Sequence, residues 1–297
     1  MSSRHTWGHD LGERIRILGG ASAYHGTDAS ELRRRRLYKC LSLDLLAGAG
    51  LPAPPTAILF RTGQRQFHDM FELLGGPVLV RLDYARTPRP KPLGGVVLSR
   101  RDTALQVGRW IEKRGCVPIF HPHLPRSGDL LSFGASMSIG QSNAMLEVVG
   151  GGFDASDLRL GGFLPHEIYN VDVLTGRVKR TWLISQDQYV AERLKRSRRA
   201  RAFAKYERYV NRTGRLLASL GWFLAGKEPA SGKARRVPME YEPAKPSVIA
   251  ELVELLRIAQ RSVLPQLPPS EAFAVSGSFV RRSGWIIWDI YGGWYRR

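Results

Sequence analysis

Apolar positions along this chain fall into runs whose spacing predicts alternating helices and short strands. Leu32, Leu37, Leu41, Leu45 and Leu46 recur at roughly helical spacing behind Ser30, a capping residue. They predict one helix with Arg33–Arg36 on its outer face, ended by the glycines of GAG at residues 48–50. The prolines of LPAPPTAILF set an extended entry to a short buried strand at Ala57–Phe60. Gln64–Leu74 reads as a helix through Phe67, Met70, Phe71 and Leu74. Strands at Pro77–Leu82 and Gly95–Leu98, a helix at Asp102–Lys113 and an apolar strand at Val117–Phe120 follow. Leu130–Ile139, Ala144–Val149 and Glu167–Asp172 predict an antiparallel meander, and VDVLTGRVKRTWLI a hairpin turning at Thr175–Gly176.

The pattern changes at residue 186. Tyr189, Leu194, Phe203, Tyr206, Val210 and Leu217 keep helical spacing inside a dense cationic run, and residues 226–246 read as a flexible, Pro- and Gly-rich connection. Ser247 then caps an amphipathic helix through Val248, Leu252, Leu255, Leu256 and Val263. Two strands, Phe273–Val280 and Trp285–Ile290, end the pattern around a turn at Arg282–Gly284, and no internal repeat is visible.

Composition adds one strong signal. The 297 residues are 43% hydrophobic and 24% charged, which argues against wholesale disorder. No apolar run approaches the roughly 20 residues that span a bilayer, and MSSRHTWGHDLGER has no apolar core for a secretory signal. Two cysteines, Cys40 and Cys116, stand outside any metal-type spacing, so small core residues in a reduced, cytoplasmic compartment are expected. The formal net charge is +19, a field that attracts polyanions. Five of the cations, Arg81, Arg86, Arg89, Lys91 and Arg100, surround one strand–loop–strand unit.

Individual residues leave two roles open. Arg81 can offer a phosphate a fixed charge and a bidentate fork, or pair with Asp83 or another carboxylate. Gly94 and Gly95 permit close backbone approach to a ligand or make an ordinary hairpin turn. In WIIWDIY, strict alternation puts Trp285, Ile287 and Asp289 on one face and Ile286, Trp288 and Ile290 on the other. An acid on such a strand needs a metal ion or an arginine. His121 and His123, on either side of Pro122, make a polar hinge or two imidazoles without a third metal ligand. The run Arg193–Arg215 carries cations nearly all round a helix. It faces nucleic acid or an acidic substrate, or is a solvated insertion.

The ordered set of pieces resembles the ATP-grasp superfamily. LLAGAGLPAPPTAILF, residues 45–60, resembles its "G-(I/L)-P-x-P-x-T" element, and GGPVLVRLDY, residues 75–84, its "P-V-(V/I)-V-K" strand, with Arg81 where lysine is usual. PLGGVVLS resembles the glycine-rich loop, and VPIFHPHLP, residues 117–125, the hinge strand, with His121 in place of a glutamate. SGDLLSFGASMSIG is similar to the strand pair that follows. FAVSGSFVRRSGWIIWDI is similar to the closing hairpin, with Asp289 at its acidic position, Glu271 the candidate for its first carboxylate, and no asparagine after Asp289. Lys39 and Arg81 also resemble the early lysine and strand-end arginine of the phosphoenolpyruvate synthase and pyruvate phosphate dikinase branch; nothing matches that branch's phosphohistidine domain.

The resemblance implies an α+β fold of two lobes with a nucleotide cleft between them. Residues 1–115 form the first lobe, and 116–297 the second, with a basic helical insertion at 186–225. It implies ATP and Mg²⁺ as cofactors. Arg81 and Arg159 are then the catalytic cations, with Asp154 and Asp157 near the phosphates or in a capped turn. Lys39, Arg81, Lys91, Gly94, Gly95, Phe120 and His121 lie around the nucleotide, and Asp289 and Glu271 hold the metal. The implied activity joins a carboxylate to an amine or thiol through an acyl phosphate, or transfers a phosphoryl group. A nucleic-acid-binding protein on a degenerate ATP-grasp scaffold is the alternative. A subunit whose basic helix docks on an acidic protein is a third.

Overall fold

The computed structural model describes residues 29–54, 56–58, 64–74, 77–84, 96–113, 115–123, 131–151, 153, 162–195, 240–280 and 284–292. Helices α1 (Ala29–Arg34) and α2 (Tyr38–Gly48) lead into β1 (Ala57–Ile58), α3 (Gln64–Leu74), β2 (Val78–Tyr84), β3 (Val96–Leu98), α4 (Arg101–Lys113) and β4 (Cys116–Pro122). Strands β5 (Leu131–Met137), β6 (Asn143–Val149), β7 (Glu167–Asp172) and β8 (Arg177–Leu183) follow. Helix α5 (Pro246–Ser262) and strands β9 (Phe273–Val280) and β10 (Gly284–Gly292) complete the order. The strands form two antiparallel sheets, one ordered β1-β4-β2-β3 and the other β10-β9-β5-β6-β7-β8. This is the α+β class that the periodicities and the resemblance imply.

Local chemistry explains both helix ends near the start. The expected single helix is broken, because Arg36 takes a positive φ of 57°. Leu37 N then bonds Leu32 O at 2.9 Å, and Arg36 N bonds Arg33 O at 3.0 Å, a Schellman stop that seats Leu37 in the core. The four consecutive arginines repel along a continued helix and are exposed at the break instead. The predicted stop at GAG has the same geometry. Gly50 has φ 68°, Leu51 N bonds Leu46 O at 2.9 Å, and Gly50 N bonds Ala47 O at 3.1 Å.

Two cores meet at the first sheet. Val78, Val80 and Leu82 of β2, with Phe120 of β4 and Ala57 of β1, face Phe67, Met70, Phe71 and Leu74 of α3 and Ala104, Leu105 and Ile111 of α4. The alternate residues Val117 and Ile119, with Ile58, turn to a second core. There they join the leucines of α2, the inner face of α5, and Phe133, Leu146, Tyr169, Trp285 and Ile287 of the six-stranded sheet. Fully burying each such side chain contributes roughly 2 kcal/mol.

The expected lobe division at 115/116 does not follow the sheets. Strand β4 pairs with both β1 and β2, so residues up to His123 belong with the first sheet. The meander and the hairpin lie where the periodicity puts them. The β7–β8 turn uses Gly176 at φ 74°, and Asp172 Oδ1 accepts from Leu174 N at 3.0 Å and Thr175 N at 3.2 Å. The Thr175 side-chain hydrogen bond, followed by these backbone bonds, lowers the Asp172 pKa from its ordinary value.

Candidate functional site

Strand β2 turns Val80 and Leu82 to the helices, so Arg81 and Asp83 point the other way, toward α2 and β10. The Arg81 guanidinium reaches β10. Its Nη2 forms an ion pair with Asp289 Oδ2, and its Nη1 donates to Trp288 O at 3.3 Å. Of the two partners left open for Asp289, an arginine or a metal ion, the structure holds the arginine.

Asp289 does not lie on the face that alternation assigns to it. The β9–β10 register runs Ile287 opposite Gly277 and then Asp289 opposite Ser276, leaving Trp288 as a bulge residue. The bulge shifts the phase of the strand. Trp285, Ile287 and Ile290 therefore share the core, while Asp289 moves to the opposite face with Ile286. Trp288 Nε1 donates to Ser278 Oγ at 3.0 Å on that face, and Ser278 Oγ is 3.0 Å from Ser132 Oγ. Asp289 is 4% exposed, and its Oδ1 is buried with no hydrogen-bond partner among the described residues.

Helix α2 supplies a second cation. Lys39 Nζ donates to Leu82 O at 3.3 Å and lies within the fields of Arg81, Asp289 and Asp83. Burial, followed by the Arg81 charge, lowers the Lys39 pKa from its ordinary value. Asp83 Oδ2 accepts from the backbone N of Cys40 at 3.0 Å, which ties α2 to β2. Burial and that carboxylate push the Cys40 thiol up, as for a thiol held in a core. Both cysteines are free.

His121 stands on the Arg81 side of β4. Its register partner is Leu79, its Nδ1 lies 3.0 Å from Thr56 Oγ1, and its ring meets Trp288 edge-on at 5.7 Å. It braces the bulge residue next to Asp289. Phe120, expected at the nucleotide, is corrected by the same alternation. It faces the helices, edge-on to Phe67 at 5.3 Å, on the far side of the sheet from Arg81. Glu271 is also corrected. Ser276 stands opposite Asp289, whereas Glu271 is exposed before the first residue of β9, and its carbonyl accepts from Ser138 Oγ at 2.6 Å. Glu271 thus stands five residues before Ser276, the register partner of Asp289.

The Mg²⁺ expectation therefore finds one carboxylate, already paired with Arg81, facing a serine. Among the described residues no three His, Cys, Asp or Glu side chains come together as a metal-holding group. Among the described residues, this donor set does not fit a resident Mg²⁺.

Lys91, Gly94, Gly95, Asp154, Asp157 and Arg159 lie outside the described residues, as do Arg86, Arg89 and the run beyond Lys195. The described start of that run packs against the body. Arg193 lies over the Tyr189 ring at 5.6 Å, and Lys195 lies over Phe163 at 4.6 Å while donating to Gly162 O at 2.7 Å. No helix among the described residues is long and apolar enough to cross a membrane.

Sequence reasoning missed a second polar centre. Glu167 is fully buried. Its Oε2 accepts from Tyr169 OH and from Arg180 Nη1, and its Oε1 accepts from Tyr241 OH at 2.6 Å and Ala244 N at 2.8 Å. His166 beside it is ringed by Phe153, Tyr189 and Tyr241 with centroids 4.8–4.9 Å away. The signal was an acid opening an apolar strand, HEIYNVDV, and it reads as a structural clamp on the chain entering α5. Asp83 was named only as a possible partner of Arg81. Its place two residues further along β2, on the same face, is the clue to its real bond.

A scan of protein-family models and a search of curated proteins find no match. Solved structures do match. Carboxyaminoimidazole ribonucleotide synthase of Aspergillus clavatus, complexed with ATP, is 10% identical at TM-score 0.42 over 86% of this chain and 44% of that one. D-alanine–D-alanine ligase of Bacillus anthracis, complexed with ATP, is 10% identical at TM-score 0.40 over 86% and 54%. An ATP-grasp ligase complexed with its minimal precursor is 11% identical at TM-score 0.36 over 90% and 55%. The chain spans about half the length of these structures. Likenesses this partial carry nothing about activity or substrate.

Proposed function

We propose that this protein binds ATP beside Arg81 and acts as an ATP-dependent ligase of the ATP-grasp kind. The observation that supports this reading is the meeting of Arg81 and Asp289, 208 residues apart. The sequence resemblance assigns them separately to the phosphate-binding strand and to the closing hairpin of one nucleotide site.

In this reading the Arg81 fork holds phosphate oxygens with a charge that does not titrate, and Lys39 adds a second cation from α2. The sequence resemblance assigns Lys91, Gly94, Gly95 and Arg159 to the phosphates as well. His121 and Trp288 form the wall beneath. An acceptor carboxylate oxygen attacks the γ-phosphorus while the bond to the β–γ bridging oxygen breaks. ADP leaves, and an amine or thiol then displaces phosphate from the acyl phosphate. The protein's part is alignment and charge neutralisation.

Calorimetric titration of ATP into the purified chain tests the reading. The wild type binds, and Arg81→Ala weakens binding by one to two orders of magnitude, as expected for losing about 1.5–3 kcal/mol of charge-assisted bonding. A wild type that takes no ATP overturns it.

A further inference from the structure

We infer that Asp289 is an intramolecular stand-in for the ligand's anion at Arg81, and that the site takes its polyphosphate without a metal ion held by Asp289. The inference rests on reading the Arg81 site as an anion site, and it deepens that reading by naming the form of the ligand.

The donor set comes first. A magnesium ion needs near-octahedral oxygen ligands, commonly one or two carboxylates besides phosphates and water. Here Asp289 faces Ser276, and the next residue across the sheet is Gly134. The carboxylate is spent on Arg81, whose side chain is 13% exposed against 5% for Asp289.

The pairing is also incomplete. Arg81 engages Oδ2, while Oδ1 is buried with no hydrogen-bond partner among the described residues. A buried acceptor left unmade is costly, so the pair is a poorer match for the guanidinium than a phosphate that meets two nitrogens. Charge points the same way. Arg81 and Lys39 stand against Asp289 and Asp83, a balanced set of two cations and two carboxylates. A polyphosphate arriving while Asp289 still holds Arg81 meets a carboxylate at close range. Binding and the ion pair are therefore alternatives, and the protein's apparent affinity is reduced by the fraction of molecules in which the pair is closed.

The sign of one substitution separates a stand-in from a metal ligand. Sodium tripolyphosphate and ATP are titrated calorimetrically into the wild type, Asp289→Asn and Asp289→Ser, each in EDTA and in Mg²⁺, with urea unfolding to verify that each variant is folded. The stand-in predicts binding about tenfold tighter in both variants, undiminished by EDTA, and lost again when Arg81→Ala is added. Binding that is weaker or unchanged in the folded variants, or wild-type binding that requires Mg²⁺, overturns it. If tripolyphosphate binds the variants more tightly while ATP binds no form, the inference stands and the nucleotide reading falls. If ATP binds only with Mg²⁺ and needs Asp289, the nucleotide reading stands and this inference falls. If neither anion binds any form, both fall.

Discussion

Arg81 on β2 and Asp289 on β10 join the two sheets through one ion pair, although 208 residues separate them in the chain. Both side chains are mostly buried, so the pair is screened little by solvent. Removing either partner breaks a mostly buried ion pair and leaves the other charge without it. Arg81→Ala and Asp289→Ala are each expected to destabilise by about 3 kcal/mol, and the double variant by less than their sum, with a coupling of about 2 kcal/mol. Urea unfolding of the four proteins measures this. Additive losses would mean that the pair does not hold the sheets together.

Gly277, the partner of Ile287, stands beside the bulge that turns Asp289 toward Arg81. A Cβ at Gly277 would overlap the Phe133 ring and the Ile286 carbonyl oxygen, and the carbonyl belongs to backbone that cannot swing aside. Gly277→Ala is expected to cost about 2–3 kcal/mol, the range for overpacking a core. A thermal unfolding midpoint equal to the wild type's would contradict the register.

Glu167→Gln probes the second polar centre. Four donors converge on the two carboxyl oxygens, and an amide cannot accept at both ends. A loss of about 2–3 kcal/mol is expected, with proteolysis near Tyr241 accelerated as the chain entering α5 loses its clamp. Unchanged stability in urea would remove the clamp from the account.

The same centre gives the protein an alkaline limit. Burial raises the Tyr169 and Tyr241 phenols above their ordinary value of 10.0, and Glu167 adds to both shifts. Folding therefore favours the protonated phenols, so this stability is intact below pH 10 and is lost as pH climbs toward the folded values. Denaturation midpoints between pH 8 and pH 11 are expected to fall at the alkaline end, and to fall less in Tyr241→Phe. Equal slopes in the two proteins would count against the assignment.

What the sequence made legible was what local pattern controls. Gly50 ends α2 because a positive φ there favours glycine, and apolar spacing placed α3, α4 and the two closing strands within a residue or two. Arg81 and Lys39 stood out through the order of motifs. Pattern failed where a tertiary contact overrides the local period. Nothing in WIIWDIY announces that Trp288 bulges and carries Asp289 to the other face. Phe120 looked like a hinge residue, yet its direction is set by the register of β4 against β2. Arg36 adopts a left-handed turn because Leu37 must reach the core, which the run of four arginines conceals. Glu167 gathers partners from residues up to 77 positions away, beyond any window of sequence.

Nucleotide binding where Arg81 meets Asp289 is tested by the ATP affinity of the wild type beside that of Arg81→Ala in one calorimetric titration series. Saturable binding by the wild type, weakened ten- to a hundredfold by the substitution, is expected. Equal affinity in the two proteins would contradict it.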